Sequence, residues 1–481
     1  MNILLTLRIL GALLLYLAAT LLTALPFSFY YADGAALSFI LAALTTAGCG
    51  AALFCGCKSR KDLSLREGFA VVSFGWALFA LFGALPYIFS GAIPSPLDAV
   101  FETMSGFTTT GSTILTNIEA LPPSLLFWRA MTHWLGGMGI IVLSLAILPM
   151  LGVGGMQLFK AEVPGPTTDR LKPRIQDTAK LLWSVYLGLT ALETLLLMLG
   201  GMTFLDAICH AFATLATGGF STRNASIAAY DSAYIDGVVT LFMFLAGINF
   251  TLHLQALRGR VSVFYRNEEM RFYTTITMVT LGLILLFNQL SATYFNFFDN
   301  LRYSAFQVVS ILTTTGFGTA DYELWPVITQ YLLVILMFIG GCAGSTGGGM
   351  KVARVLLLLK HAQVQIFRLI HPRAVRVVKL GKRPVDNEVL AGVLGFFALY
   401  LGVFLVGSLL LAACGMDVVS GGAAVVACLS NIGPGLGSVG PTDNFAHVPG
   451  FGKTVLILCM LMGRLELFTV LVLLFPSFWR K

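Results

Sequence analysis

Four short segments, each closed by a glycine, carry most of the chemistry this chain offers. They read Ser105-Gly-Phe-Thr-Thr-Thr-Gly111, Phe212-Ala-Thr-Leu-Ala-Thr-Gly218, Ser310-Ile-Leu-Thr-Thr-Thr-Gly316 and Ala427-Cys-Leu-Ser-Asn-Ile-Gly433. What they supply is oxygen, from backbone carbonyls and from Ser and Thr hydroxyls. A closing glycine reaches φ values that Thr or Ile cannot adopt, and it lets backbones approach one another. Four such turns about one axis would make a ring of carbonyls, which is how a protein replaces the water around a small cation. Stripping that water in a medium of low dielectric costs tens of kcal/mol, more than one side chain offsets. A lone Thr-Thr-Thr-Gly reads as an ordinary turn. Four copies, roughly a hundred residues apart, read as a repeat that governs the fold.

The elements that must hold these turns follow from composition. Hydrophobic residues make up 57% of the 481 and charged residues 11%, with a mean hydropathy of +0.85. Soluble domains carry about 25% charged residues, so the solvent here is a bilayer. Apolar runs of roughly 20 residues recur along the chain, each long enough to span as a helix; about ten full spans are expected, with four half-inserted segments. The run from Leu4 to Leu25 outlasts the apolar core of a signal peptide, and Ala35 to Cys57 follows at once. It is read as a retained helix.

Each glycine-ended segment lies between two long runs, giving a helix, half-helix, loop, helix unit. The first repeat uses Phe69 to Ile88, Pro96 to Ser105 and Leu125 to Leu151. The second uses Leu181 to Met202, Phe204 to Leu215 and Tyr234 to Leu257. The third uses Phe272 to Phe287, Asn300 to Leu312 and Ile328 to about Leu359. The fourth uses Leu390 to Ala413, Val418 to Leu429 and Thr454 to Phe475. The expected fold is therefore an all-α polytopic membrane protein with four pseudo-repeated units around one pore (residues 68–160, 161–260, 261–385 and 386–481). Residues 1–67 form an added N-terminal pair of transmembrane helices. Asp98-Ala-Val and Asp206-Ala-Ile open two half-helices alike, with an acid at the helix's positive end.

Charge sets the orientation. Of 30 Lys and Arg, 23 fall in Lys58–Arg66, Lys160–Lys180, Arg258–Arg271, Arg354–Arg383 and Arg480–Lys481. These alternate with acidic segments carrying Asp98, Asp206, Asp231, Asp236, Asp299, Asp321, Glu323, Asp417 and Asp443. The positive-inside rule puts the basic stretches in the cytoplasm and the four loops toward the outside. The half-helices then aim their C-terminal ends, each equivalent to roughly −0.5 charge, at the membrane centre, where they favour a cation. The net charge of +7 reflects topology and not a nucleic-acid footprint.

Two further features carry chemistry. Between Gly340 and Gly349 lie six glycines, with Ser345 and Thr346 among them. Glycine costs about 1 kcal/mol relative to Ala inside a helix, so this stretch should unwind in mid-membrane; the alternative is close packing through small residues. Lys351 at its end could present a positive charge to the pore. Arg464 sits deep in the last span, where an ionisable group is a functional candidate; Glu466, two positions on, faces elsewhere on the helix. Arg129 and His133 read as structural or surface groups. Six cysteines lie singly in apolar runs, and Cys55-Gly-Cys57 lacks a second ligand pair, so zinc is not expected.

With these residues in view, the chain resembles the Trk/Ktr/HKT superfamily of potassium transporters, and most the TrkH/TrkG branch of bacterial Trk pore subunits. The most specific matches are Gly340-Gly-Cys-Ala-Gly-Ser-Thr-Gly-Gly-Gly-Met-Lys351 and Ser430-Asn-Ile-Gly-Pro-Gly-Leu-Gly-Ser-Val-Gly-Pro441. The resemblance implies a K+ selectivity filter marked by Gly111, Gly218, Gly316 and Gly433. The carbonyl ligands would come from Thr109 and Thr110, Ala216 and Thr217, Thr314 and Thr315, and Asn431 and Ile432. The fourth loop lacks the Thr-Thr, which implies a shorter, less symmetric filter than that of potassium channels. The resemblance also implies a gate beneath it, made of Gly344, Ser345, Thr346, Gly347, Gly348, Gly349, Lys351 and Arg464, with Arg464 as an electrostatic barrier. It implies a homodimer in the bacterial inner membrane and a cytosolic, Rossmann-type nucleotide-binding regulatory subunit. The basic stretch Arg354 to Arg383 would meet that subunit or anionic lipid. No cofactor beyond K+ is expected; the chain itself has no dinucleotide or Walker sequence.

Three classes compete. A gated pore accounts for the four loops, the acidic outer segments and the glycine-broken helix together. A K+/H+ or K+/Na+ symporter would also use broken helices, and adds a buried carboxylate, for which Glu193 and Glu466 are the candidates. A membrane enzyme such as a lipid-phosphate transferase would need paired carboxylates or a metal cluster at one face, and the sequence has neither.

Overall fold

The computed structural model describes residues 2–57, 65–146, 171–381 and 383–480. Helices α1 (Ile3–Leu21) and α2 (Ala36–Gly56) are the N-terminal pair. The first repeat consists of α3 (Leu65–Gly83), the half-helix α4 (Pro96–Phe107) and the return helix α5 (Pro123–Ala146). In the second, α6 (Leu171–Leu199) and the half-helix α7 (Phe204–Leu215) lead to α8 (Ala233–Ala246) and α9 (Phe250–Leu257). The third runs through α10 (Glu268–Leu290), the half-helix α11 (Phe297–Leu312), α12 (Val327–Met337) and α13 (Val352–Ile370). The fourth has α14 (Asn387–Ala413), the half-helix α15 (Val418–Leu429), α16 (Gly450–Arg464) and α17 (Phe468–Leu471). A small hairpin pairs β1 (Lys379–Leu380) with β2 (Arg383–Pro384).

Among the described residues, six helices are long and apolar enough to cross a bilayer, or eight if each bent pair is one span. Their outward faces carry exposed Leu187, Leu195, Leu286 and Leu409, as a lipid-facing surface requires. The interior is inverted relative to that surface. Thr108, Thr109, Thr110, Thr217, Thr313, Thr314, Thr315, Ser430 and Asn431 are all fully buried.

The half-helices are fixed at their N-terminal ends by side-chain caps, which satisfy amides that a helix start leaves open. Ser95 accepts from the Asp98 amide at 3.4 Å, Thr203 from Asp206 at 3.1 Å, Asn296 from Phe298 at 3.1 Å and Asp417 from Ser420 at 2.9 Å. Asp98 and Asp206 thus stand in the first turn, where negative charge meets the positive helix end.

Three return segments are broken. The Gly340–Gly349 stretch is non-helical, as its glycines predict: helix stops at Met337 and resumes at Val352. The other two breaks correct the sequence reading, which ran Tyr234–Leu257 and Thr454–Phe475 straight through the membrane. Helices α8 and α9 meet at 101°, and α16 meets the segment beyond it at 112°. At the first bend Asn249 starts a new helix by accepting from the Thr251 amide at 2.8 Å. At the second, Glu466 (φ 56°) and Leu467 (φ 53°) leave helical backbone altogether. The expected end of the first return helix at Leu151, and the repeat boundary at residue 160, lie outside the described residues.

Candidate functional site

Each half-helix ends in the same closed turn. The capping residues are Thr108, Ala216, Thr313 and Ser430. The next residue in each case is left-handed: Thr109 (φ 52°), Thr217 (54°), Thr314 (61°) and Asn431 (56°). The amide after it folds back onto the helix, from Thr110 to Ser105 O (2.8 Å), Gly218 to Ala213 O (2.7 Å), Thr315 to Ser310 O (2.9 Å) and Ile432 to Ala427 O (2.8 Å). These are Schellman closures. A left-handed residue other than glycine costs on the order of 1–3 kcal/mol, and here the same deviation occurs four times.

The next position fixes the register. Gly111 (φ 86°), Gly219 (78°), Gly316 (82°) and Gly433 (104°) take positive φ. The residue equivalent to Gly111 in the second loop is therefore Gly219, and Gly218 stands one step earlier, level with Thr110, Thr315 and Ile432. Ala216 likewise stands level with the helix caps rather than with Thr109. The sequence reading stopped at the first glycine of the Gly218-Gly219 pair, which spelling alone does not resolve.

With that register the loops close a ring. A Cβ added to Gly111 would collide with Gly218 O, and one on Gly219 with Thr315 O. A Cβ on Gly316 would collide with Ile432 O, and one on Gly433 would lie 2.8 Å from Thr110 O. Each glycine thus abuts the equivalent carbonyl of the next loop, and the fourth returns to the first. Outside this ring the chain interlocks in the same order. Asn224 accepts from Ile118, the Ala228 amide donates to Gly318 O, Tyr322 to Gly435 O, and the Phe445 amide to Thr113 O.

Against the C-terminal ends of the half-helices lies the interruption between α12 and α13. Thr346 Oγ1 donates to Leu215 O, at the end of the second half-helix, at 2.9 Å. The Gly348 amide donates to Thr314 Oγ1 at 2.6 Å, and a Cβ on Gly348 would strike Ser430 O. Arg464, 2% exposed, donates to Thr346 O at 2.7 Å and to Gly136 O at 2.9 Å. Lys351 turns back onto Gly347 O. Of the predicted gate residues, Thr346, Gly347 and Gly348 thus meet the ends of three of the four half-helices, Arg464 joins them to the first return helix, and Gly344 O accepts from the Phe250 amide at the bend of the second repeat.

Residues 38–481 match the TrkH family, described as cation transport proteins. The chain belongs to that family. It is 43% identical to the Trk system potassium uptake protein TrkH of Halomonas elongata, over the whole of both chains. It is 44% identical to the protein of that name in Escherichia coli K12, over 98% of this chain and 99% of that one. The crystal structure of the potassium transporter TrkH from Vibrio parahaemolyticus superposes with a TM-score of 0.93 at 40% identity, covering both chains entirely. As a member of the TrkH family the chain is a cation transporter with multiple membrane spans, and not an enzyme.

One constellation escaped the sequence reading. Arg129, taken there for a structural or surface group, is 2% exposed and pairs with Glu102 at 2.6 Å. It also donates to Ser221 O at 2.8 Å and lies 3.5 Å from the Phe220 ring centroid. Glu102 in turn accepts from Thr113 Oγ1 and the Ile114 amide. His133 bonds Gly106 O and accepts from the Phe220 amide. Together they tie the first two loops from behind. The signal was present at the corresponding turn of the second and third half-helices: His210 bonds Ser221 and Gln307 bonds Ala320 O.

Two outcomes follow. Glu102→Ala leaves a buried guanidinium unpaired and should destabilise the detergent-purified protein by about 3–5 kcal/mol. The double variant Glu102→Met/Arg129→Met should lose much less; thermal unfolding that ranks them the other way would remove the pair from the scaffold. Gly219→Ala should abolish cation transport as fully as Gly111→Ala. Near-normal uptake by folded Gly219→Ala would return Gly218 to that position.

Proposed function

We propose that the chain is the pore-forming subunit of a bacterial K+ uptake system, conducting K+ through a filter made by the four loops and gated by the glycine-rich segment beneath them. The observation that carries this reading is the closed ring, in which Thr110, Gly218, Thr315 and Ile432 each bring an equivalent carbonyl against the preceding loop's glycine. Oxygen from the backbone takes the place of water, and the half-helix dipoles add negative potential at the inner end. Thr109, Thr217, Thr314, Asn431 and the four glycines complete the filter, and K+ is its cargo. The relatives are named for potassium uptake.

The gate would be Gly344 to Gly349 with Lys351 and Arg464. In the closed position the segment occupies the axis and Arg464 sets a positive charge across it. The protein would sit in the inner membrane as a homodimer, with its loops facing the periplasm. Its basic cytoplasmic stretch, Arg354 to Arg383, would meet a nucleotide-binding regulatory subunit and anionic lipid. A K+/H+ or K+/Na+ symporter on the same scaffold has one observation in its favour: both carboxyl oxygens of buried Glu193 lack a hydrogen-bond partner. Flux that follows voltage and ignores external pH and Na+ separates the pore from the symporter.

Gly316→Ser narrows the ring and should lower preference for K+ over Na+ in competition uptake; an unchanged ratio would take Gly316 out of the filter. Deleting Gly347 to Gly349, or Arg464→Ala, should raise basal K+ flux without the regulatory subunit. Wild-type flux in both would refute the gate.

A further inference from the structure

At the bend of the fourth repeat two consecutive non-glycine residues, Glu466 and Leu467, take positive φ, and an ion pair sits on it. Helix α16 closes with Glu466 in the left-handed position normally taken by glycine, its amide on Gly463 O and that of Leu467 on Met462 O. Leu467 follows at φ 53° and ψ −61°, with the Phe468 amide on Glu466 O at 2.5 Å. That is the γ-turn of positive φ, a rare and strained form. The equivalent break in the second repeat has no such residue: Gly247 is right-handed and Asn249 caps the helix that follows. Strained backbone persists where its surroundings over-determine it, and it gathers at sites that switch.

What surrounds this hinge is the segment beneath the loops. Glu466 Oε2 meets Arg354 Nη2 at 2.5 Å, with side chains 17% and 9% exposed. Arg354 stands in the first turn of α13, three residues past the end of that segment, and its guanidinium carbon lies 4.1 Å from the Phe396 ring centroid. Two residues before Glu466, Arg464 holds Thr346 O. One short hinge therefore grips the segment twice, at its middle through Arg464 and at its exit through Glu466. Lys351, Arg354 and Arg464 crowd this corner, and Glu466 is the acid paired among them.

We propose that Glu466 is a positioning residue for the gate: paired with Arg354, it holds the strained hinge and the glycine-rich segment together on the pore axis, and opening requires that pair to part. This inference rests on the gating role given above to the segment and Arg464. Removing the charge of Glu466 leaves Arg354 buried and unpaired and frees the hinge to relax, so the closed arrangement loses both restraints at once.

The test is K+ flux into proteoliposomes holding the full-length protein without its regulatory subunit, with size-exclusion profiles to establish folding. Glu466→Gln should raise basal flux at least about fivefold, the lower end of a typical coupling between linked sites. The exchanged pair Arg354→Glu/Glu466→Arg restores opposite charges in place and should bring flux back toward wild type, which a general loss of packing would not do. If Glu466→Gln conducts like wild type while Arg464→Ala is leaky, the latch is wrong and the gate stands. If neither is leaky, the gate itself is wrong. An exchanged pair as leaky as Glu466→Gln also overturns the latch, and it decides the matter should Glu466→Gln fail to fold.

Discussion

Backbone that leaves the helix at membrane depth must find partners for its amides and carbonyls, because lipid supplies none. Four half-helices of this chain end there at once. Their amides are satisfied locally by the Schellman turns, which leave the carbonyls of Thr110, Gly218, Thr315 and Ile432 against neighbouring loops. Each carbonyl has a glycine of the preceding loop beside it, with no side chain between. The ring is thus a consequence of packing four helix ends together, and on the proposed reading a cation would take up what that packing leaves unbonded. Two pairs of buried hydroxyls bond each other: Thr108 with Thr110, and Thr313 with Thr315, each at 2.8 Å.

The surrounding structure serves to keep those turns where they are. Caps fix the N-terminal ends of the half-helices, the outer connections interlock in cyclic order, and Glu102, His210 and Gln307 reach from one turn back to the ascending chain. The fourth repeat has Ala424 at the corresponding place. Its loop is held instead by Asn431, whose amide donates to Thr110 Oγ1 and Met460 O, both at 3.0 Å. Asn at this position is the least strained of the four, since it tolerates left-handed backbone better than Thr does.

Much of this was legible in the sequence. The half-helices Phe204–Leu215 and Val418–Leu429 have the predicted bounds, because a cap residue and an abrupt polar loop delimit each one. The unwound stretch of the third repeat announced itself by six glycines. The bends at Gly247 and Leu465 did not, since apolar composition continues through both and only a single Asn or a strained Glu-Leu pair turns the chain. Register in the second loop was hidden by two adjacent glycines. Arg464 was recognisable as an intramembrane charge, but not its acceptors, which are backbone carbonyls over a hundred positions away. Glu466 looked like the neighbour of Arg464 and is the partner of Arg354, 112 residues back.

The repeats are alike in the ring and unlike beneath it, and that division has a physical reason. A cation held by carbonyls would need ligands from every side, and on the proposed reading that is why all four loops keep one geometry. Closing a path needs an obstacle from one side, held against the rest. The first return helix runs unbroken past the ring and offers Gly136 O as a fixed acceptor for Arg464. In the proposed gate the third would supply the obstacle, a chain without helix and with few side chains. The fourth would supply the grip, Arg464 and Glu466 at a bend. Glycine consequently serves two ends: at Gly316 it lets neighbouring loops meet backbone to backbone, and at Gly348 it lets one backbone lie against the ends of two half-helices, at Thr314 and Ser430.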